Sequence, residues 1–125
     1  MDPTLHSETF VWITISNATE QSQFSQVMTH AEMVFREEEG LTAILPRSMA
    51  DELGMDSIFP SRKITLNVHS SLEASGFIAA VATRLATLGI GVNPVSGYYH
   101  DHLFVPLGRE GDVLDELKAM AAEQQ

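Results

Sequence analysis

Apolar and polar residues alternate from residue 64 to residue 69, where Ile64, Leu66 and Val68 are interleaved with Thr65, Asn67 and His69. A period of two places the apolar set on one face of a β-strand. Ile78, Val81, Ala82, Leu85 and Leu88 then recur at helical spacing, and Gly89 stands where a glycine ends a helix. Residues 90–97 and 98–106 combine β-branched and aromatic residues with turn formers, which predicts two further strands. Residues 63–106 therefore read as a β-α-β-β core around which the chain is organised.

Upstream of this core, residues 1–9 offer little to bury and read as a loose lead-in. In residues 10–16, Val11, Ile13 and Ile15 fall on one side and Phe10, Trp12 and Thr14 on the other, as in a strand covered on both faces. Residues 17–26 hold one large apolar residue, Phe24, and read as a loop or a short irregular helix. Residues 33–36 and 42–45 form the arms of a predicted hairpin with Glu39 and Gly40 at its turn. Ser48 and Asp51 have capping-box spacing, ahead of a short helix with Met49, Ala50 and Leu53 inward and Gly54 at its end. Pro60 marks 59–62 as a linker between two halves, 1–62 and 63–125. Asp112 is the expected N-cap of a last helix, with Val113, Leu114, Leu117, Met120 and Ala121 as its buried stripe.

Composition narrows the function classes. Hydrophobic residues make up 44% and charged ones 19%, as in an ordinary folded domain. Seven Lys and Arg against seventeen Asp and Glu give a net charge of −10, which repels nucleic acid and anionic membrane surfaces alike. Without cysteine there is no disulfide and no thiolate metal site. The acidic amino terminus lacks the basic and apolar regions of a secretory signal. The most membrane-like window, 77–92, is interrupted by Thr83, Arg84, Thr87 and Gly89 and falls short of the roughly 20 apolar residues of a span. A cytoplasmic protein is expected. No phosphate-cradling glycine loop, G-x-S-x-G turn or cysteine nucleophile is present, so neither an enzyme nor a bound cofactor is expected.

The connection 69–77 places serines and backbone N–H groups at a helix start, where a carboxylate can be held; alternatively Ser71 or Ser75 caps its own helix. Asn93, before Pro94, is either a ligand-facing amide or a turn residue near the same end of the sheet. His100 and His102 share a strand face and could share an ion, with His69 a third candidate; structural or interface roles are the alternative.

The element order from Lys63, with Glu73-x-x-Gly76 in the first connection and Leu88-Gly89-Ile90-Gly91-Val92-Asn93 leading into the second strand, resembles the ACT domain. Ser75 stands where such domains often carry proline. Residues 38–42 and 98–105 resemble a bacterial family of short tandem-ACT proteins, itself similar to the ACT repeats of amino-acid sensors. The resemblance implies an α+β, ferredoxin-like β-α-β-β-α-β fold in two halves, with antiparallel sheets and helices on one face. It also implies a homo-oligomeric regulatory protein that binds a small molecule, an amino acid, at Ser70, Ser71, Leu72, Gly76, Phe77 and Asn93. Ser70, Ser71 and the backbone near Gly76 would hold the carboxylate, Phe77 the side chain, and Glu39 or Asp101 the ammonium. The alternatives are a ligand-free dimerisation module and a metal site at His100 and His102. The C-terminal half has too little chain after its last helix for a final strand, so either residues 10–16 complete its sheet or the halves exchange strands.

Overall fold

In this computed structural model, which describes residues 2–67 and 76–123, ten elements follow one another in the chain. They are β1 (Pro3–Ile15), α1 (Gln21–His30), β2 (Met33–Glu37), β3 (Gly40–Pro46), α2 (Arg47–Glu52), β4 (Ile58–Leu66), α3 (Phe77–Ala86), β5 (Asn93–Ser96), β6 (Asp101–Pro106) and α4 (Glu110–Glu123). They make two compact units, one of Glu8–Pro60 and one of Met1–Ser7 with Ser61–Gln125.

In the N-terminal unit the strands are ordered β2-β3-β1 and pair antiparallel, with Phe35 opposite Thr42 and Trp12 opposite Ile44. Val11, Ile13 and Ile15 alternate into a core with Val27, Ala43, Leu45 and Ala50, against which Phe24, Met49 and Leu53 pack. The other face is covered at Phe10 and open at Thr14, not covered throughout as the alternation implied. The predicted hairpin is present. Gly40 has φ +153°, and a Cβ there would lie 2.6 Å from the Ile15 carbonyl oxygen, so the turn passes too close to β1 for any side chain.

Two local expectations are corrected here. Residues 17–20 are the expected loop, but 21–26 are not irregular: they open α1, a regular helix ten residues long, capped by a box in which Glu20 and Gln23 bond each other's backbone N–H. The Ser48 and Asp51 pair caps nothing, because α2 begins at Arg47 with Pro46 as its N-cap and no side-chain capping bond. Gly54, at φ +65°, ends that helix as expected.

In the C-terminal unit the strands are ordered β1-β4-β6-β5, with β6 antiparallel to both of its neighbours. Ile64, Leu66, Leu103 and Val105 meet Val81, Leu85, Val113, Leu117 and Met120 of α3 and α4, while Leu5 packs against the same core. The strand that completes this sheet is residues 3–7, not 10–16. Read as a lead-in, those residues are a strand for a reason of hydrogen bonding. Asn67 donates from its backbone N (3.2 Å) and Nδ2 (2.6 Å) to the Asp2 carbonyl, and from Nδ2 to Thr4 Oγ1 at 2.7 Å. Arg62 donates from Nε (3.0 Å) and Nη2 (2.7 Å) to the His6 carbonyl. β1 and β4 thus each give one end to either unit, and each unit has the β-α-β-β-α pattern with antiparallel strands of a ferredoxin-like fold.

Residues 59–62 lie inside β4 and are not a free linker: Ser61 is fully buried, and Phe59 takes a left-handed φ of +55°. Asp112 lies in the first turn of α4, which starts at Glu110, and accepts a bond from Arg109 Nε at 2.8 Å. Gly89, at φ +71°, closes α3 as expected, with Ile90 N donating to the Leu85 carbonyl at 3.1 Å. Arg84 of α3 holds α4 by bonding Glu116 through Nε and Glu123 through both Nη atoms at 2.7 and 2.6 Å. Among the described residues no helix is long and apolar enough to cross a membrane.

Candidate functional site

Of the residues expected to bind a ligand, Ser70, Ser71 and Leu72 lie outside the described residues, as does His69. Gly76 sits immediately before α3 with φ +97°, and a Cβ there would meet nothing within 4 Å. Glycine is therefore required by backbone conformation and not by space. Phe77 packs against the C-terminal core.

Asp101, only 7% exposed, accepts a hydrogen bond from Ser96 Oγ at 2.6 Å and stands opposite Leu66, the last residue of β4. It is thereby at the strand end that leads into the 67–76 connection. Asn93 opposes Phe104, which opposes Lys63, so it sits three register positions away, roughly 10 Å along the strands.

The histidines meet a partner that sequence spacing did not suggest. His102 Nδ1 lies 3.0 Å from Thr65 Oγ1, and His6 Nε2 lies 2.7 Å from the same oxygen. The His100 and His102 rings are 6.3 Å apart. Among the described residues no group of three or more His, Asp or Glu is placed to hold a metal ion.

The N-terminal unit has a groove of about 710 Å³ where the connection from β1 to α1 approaches the turn between β2 and β3. Phe24 supplies an apolar wall, and Arg36, Glu37, Glu38 and Glu39 supply the charge. Three carboxylates beside one guanidinium favour a cationic group, while Arg36 is a bidentate donor suited to a carboxylate. The bend itself uses its amides internally. Ser16 N donates to Thr19 Oγ1 (3.1 Å), Ala18 N to Ser16 Oγ (3.2 Å), Thr19 N to the Ser16 carbonyl (3.1 Å) and Glu20 N to Gln23 Oε1 (3.3 Å). Recognition here rests on side chains more than on backbone donors.

Glu39 was expected to meet an ammonium; Arg36 and Phe24 were not singled out. The signal for them was present, because residues 16–20 connect the first strand to the first helix just as 67–76 do in the second half.

The family model for the ACT domain matches residues 1–62, and a second ACT domain model matches residues 59–118. No curated protein matches. A crystal structure of a Vibrio cholerae protein of unknown function is 38% identical, with a TM-score of 0.82 over 95% of this chain and 88% of that one. A protein from Agrobacterium tumefaciens is 17% identical, with a TM-score of 0.70 over 94% and 86%. The regulatory subunit of aspartate kinase from Thermus flavus is 10% identical, with a TM-score of 0.67 over 95% and 96%. These last two likenesses are of fold. ACT domains are regulatory modules, and a regulatory ligand-binding role is the class of function that the match supports. With both halves matched and each unit built as a ferredoxin-like pattern, the chain belongs to the ACT domain family as a short tandem pair.

Proposed function

We propose that this protein is a non-catalytic cytoplasmic sensor that binds a free amino acid and signals by changing its association with copies of itself or with a regulated partner. The groove beside Phe24 carries the reading. It sets Arg36 and Glu37 to Glu39 around one space, the paired charges that an amino acid's carboxylate and ammonium require. The second candidate, at Ser70, Ser71, Leu72, Gly76 and Phe77, is supported by the left-handed glycine ahead of α3. Asp101 stands opposite Leu66, where β4 ends and that connection begins. Bound ligand favours one association state by its differential affinity for the two.

Thermal shift with each of the twenty amino acids tests this. A ligand that binds only the folded protein raises Tm in proportion to the logarithm of its concentration. One amino acid, or a few related ones, should do so, and Arg36→Ala should remove the shift if the groove is the site. No shift with any amino acid refutes the reading. A purely interactive role is the second reading, supported by Phe35, Tyr98 and Tyr99, which are 63%, 85% and 71% exposed.

A further inference from the structure

On the face of the N-terminal unit's sheet away from its core, Trp12, Thr14 and Thr42 border a pocket of about 270 Å³, closed on its far side by Asp56, Ser57 and Ile58. Trp12 and Thr14 alternate with the core residues Val11, Ile13 and Ile15, so this pocket and the helices lie on opposite faces of β1. Its apolar lining is Trp12, Ile13 and Ile58, the last 70% exposed. Among the described residues Asp56 is the one charged residue of its lining, which includes no cationic side chain.

The indole is held by an unusual piece of backbone. Phe59 adopts φ +55°, a left-handed conformation that is costly for an aromatic residue, and its ring packs edge-on against Trp12 at 5.1 Å and 66°. Strain of this kind persists where surrounding structure fixes it, and it recurs at ligand clamps. Here its effect is to brace an indole that lines the pocket.

We infer that the pocket binds a small primary amine with an apolar body and no carboxylate. The ammonium meets Asp56, the hydroxyls of Ser57, Thr14 and Thr42 take up its remaining protons, and the body lies against Trp12 and Ile58. An indole face attracts cations, and a chain of net charge −10 draws them in. A zwitterionic amino acid is disfavoured, because its carboxylate finds no positive partner and faces Asp56. The inference is independent of the amino-acid groove, whose ligand carries both charges.

Trp12 is the one tryptophan in the sequence, so its emission reports this pocket directly. The probes are phenethylamine, phenylalanine and 2-phenylethanol, titrated against the full chain. Phenethylamine should change the emission saturably, with phenylalanine and 2-phenylethanol each weaker by about tenfold. Asp56→Asn, at an exposed position, should weaken phenethylamine by about threefold and leave 2-phenylethanol unchanged. Linear, unsaturable quenching overturns the proposal, as do equal affinities for the three compounds or an unaltered response in Asp56→Asn.

Discussion

His6 meets Thr65 across 59 positions of sequence, with Nε2 2.7 Å from Oγ1. The contact ties a strand that begins near the amino terminus to the C-terminal unit, which otherwise lacks its last strand. His102 closes on the same hydroxyl at 3.0 Å, so Thr65, 7% exposed, joins three neighbouring strands through one oxygen. Thr65→Val leaves both imidazoles without this partner and should lower stability by about 1–3 kcal/mol. His6→Ala should cost about 1 kcal/mol, with the double variant less destabilised than the sum. Urea denaturation midpoints of the four proteins check this; strict additivity would show that His6 and Thr65 do not act together.

The clasp between α3 and α4 makes a prediction about pH. Glu123 is held below the usual carboxylate range, first by its hydrogen bond from Arg84, and Arg84 is raised in turn, chiefly by Glu123 and then by Glu116. A carboxylate with a depressed folded pKa stabilises the fold above its unfolded pKa and loses that contribution as pH falls through the folded value. The Tm of the wild type should therefore exceed that of Arg84→Met at neutral pH, and the gap should narrow below about pH 4.3, the ordinary glutamate value. Because these groups face solvent, added salt should narrow it at neutral pH too. A gap that ignores both pH and salt would assign the contact to packing alone.

Glycine substitutions should differ in sign. At Gly40, with φ +153° and the Ile15 carbonyl 2.6 Å from the position of a Cβ, alanine should destabilise by about 1–3 kcal/mol. At Gly111, inside α4 with open space where a Cβ would be, alanine should stabilise by about 0.5 kcal/mol. Gly40 also lines the groove beside Glu39, so Gly40→Ala should weaken any amino-acid response that Gly111→Ala leaves intact. Chemical denaturation and thermal shift on both variants decide it.

These residues also show what could be read in the chain. Elements that bury a regular stripe were legible: Ile64 and Leu66 of β4, Val81 and Leu85 of α3, and Val113, Leu117 and Met120 of α4 all face the core as their spacing required. Where a helix buries little, the pattern failed. α1 has one fully buried residue, Val27, and its cap is Glu20 with Gln23, outside the usual Ser or Thr signature. Residues 3–7 were illegible because what makes them a strand is Arg62, Thr65 and Asn67, far along the chain. In the groove, Glu39 drew notice as one of three consecutive glutamates, while Arg36 and Phe24 became neighbours of it through the β2 to β3 turn and the packing of α1. The parallel between residues 16–20 and 67–76 marks the place of this groove, but which side chains line it is decided by the turn and by the packing of α1.

Phe59 allows strain and packing to be separated. Alanine at this position removes the ring from Trp12 but keeps a Cβ in the left-handed region, whereas glycine removes the ring and the strain together. In an ordinary strand glycine is the less stable of the two, by about 0.5–1 kcal/mol. Here the order should invert, with Phe59→Gly more stable than Phe59→Ala by about 1 kcal/mol. Both should fall below the wild type, since the indole loses an edge-on aromatic neighbour worth about 0.5–1.5 kcal/mol beyond its buried area. Denaturation midpoints give the order, and the emission maximum of Trp12 should shift by the same amount in both variants, because both expose the same face of the indole. Alanine proving the more stable would mean that the positive φ carries no strain, and the brace behind Trp12 would then be ring packing alone.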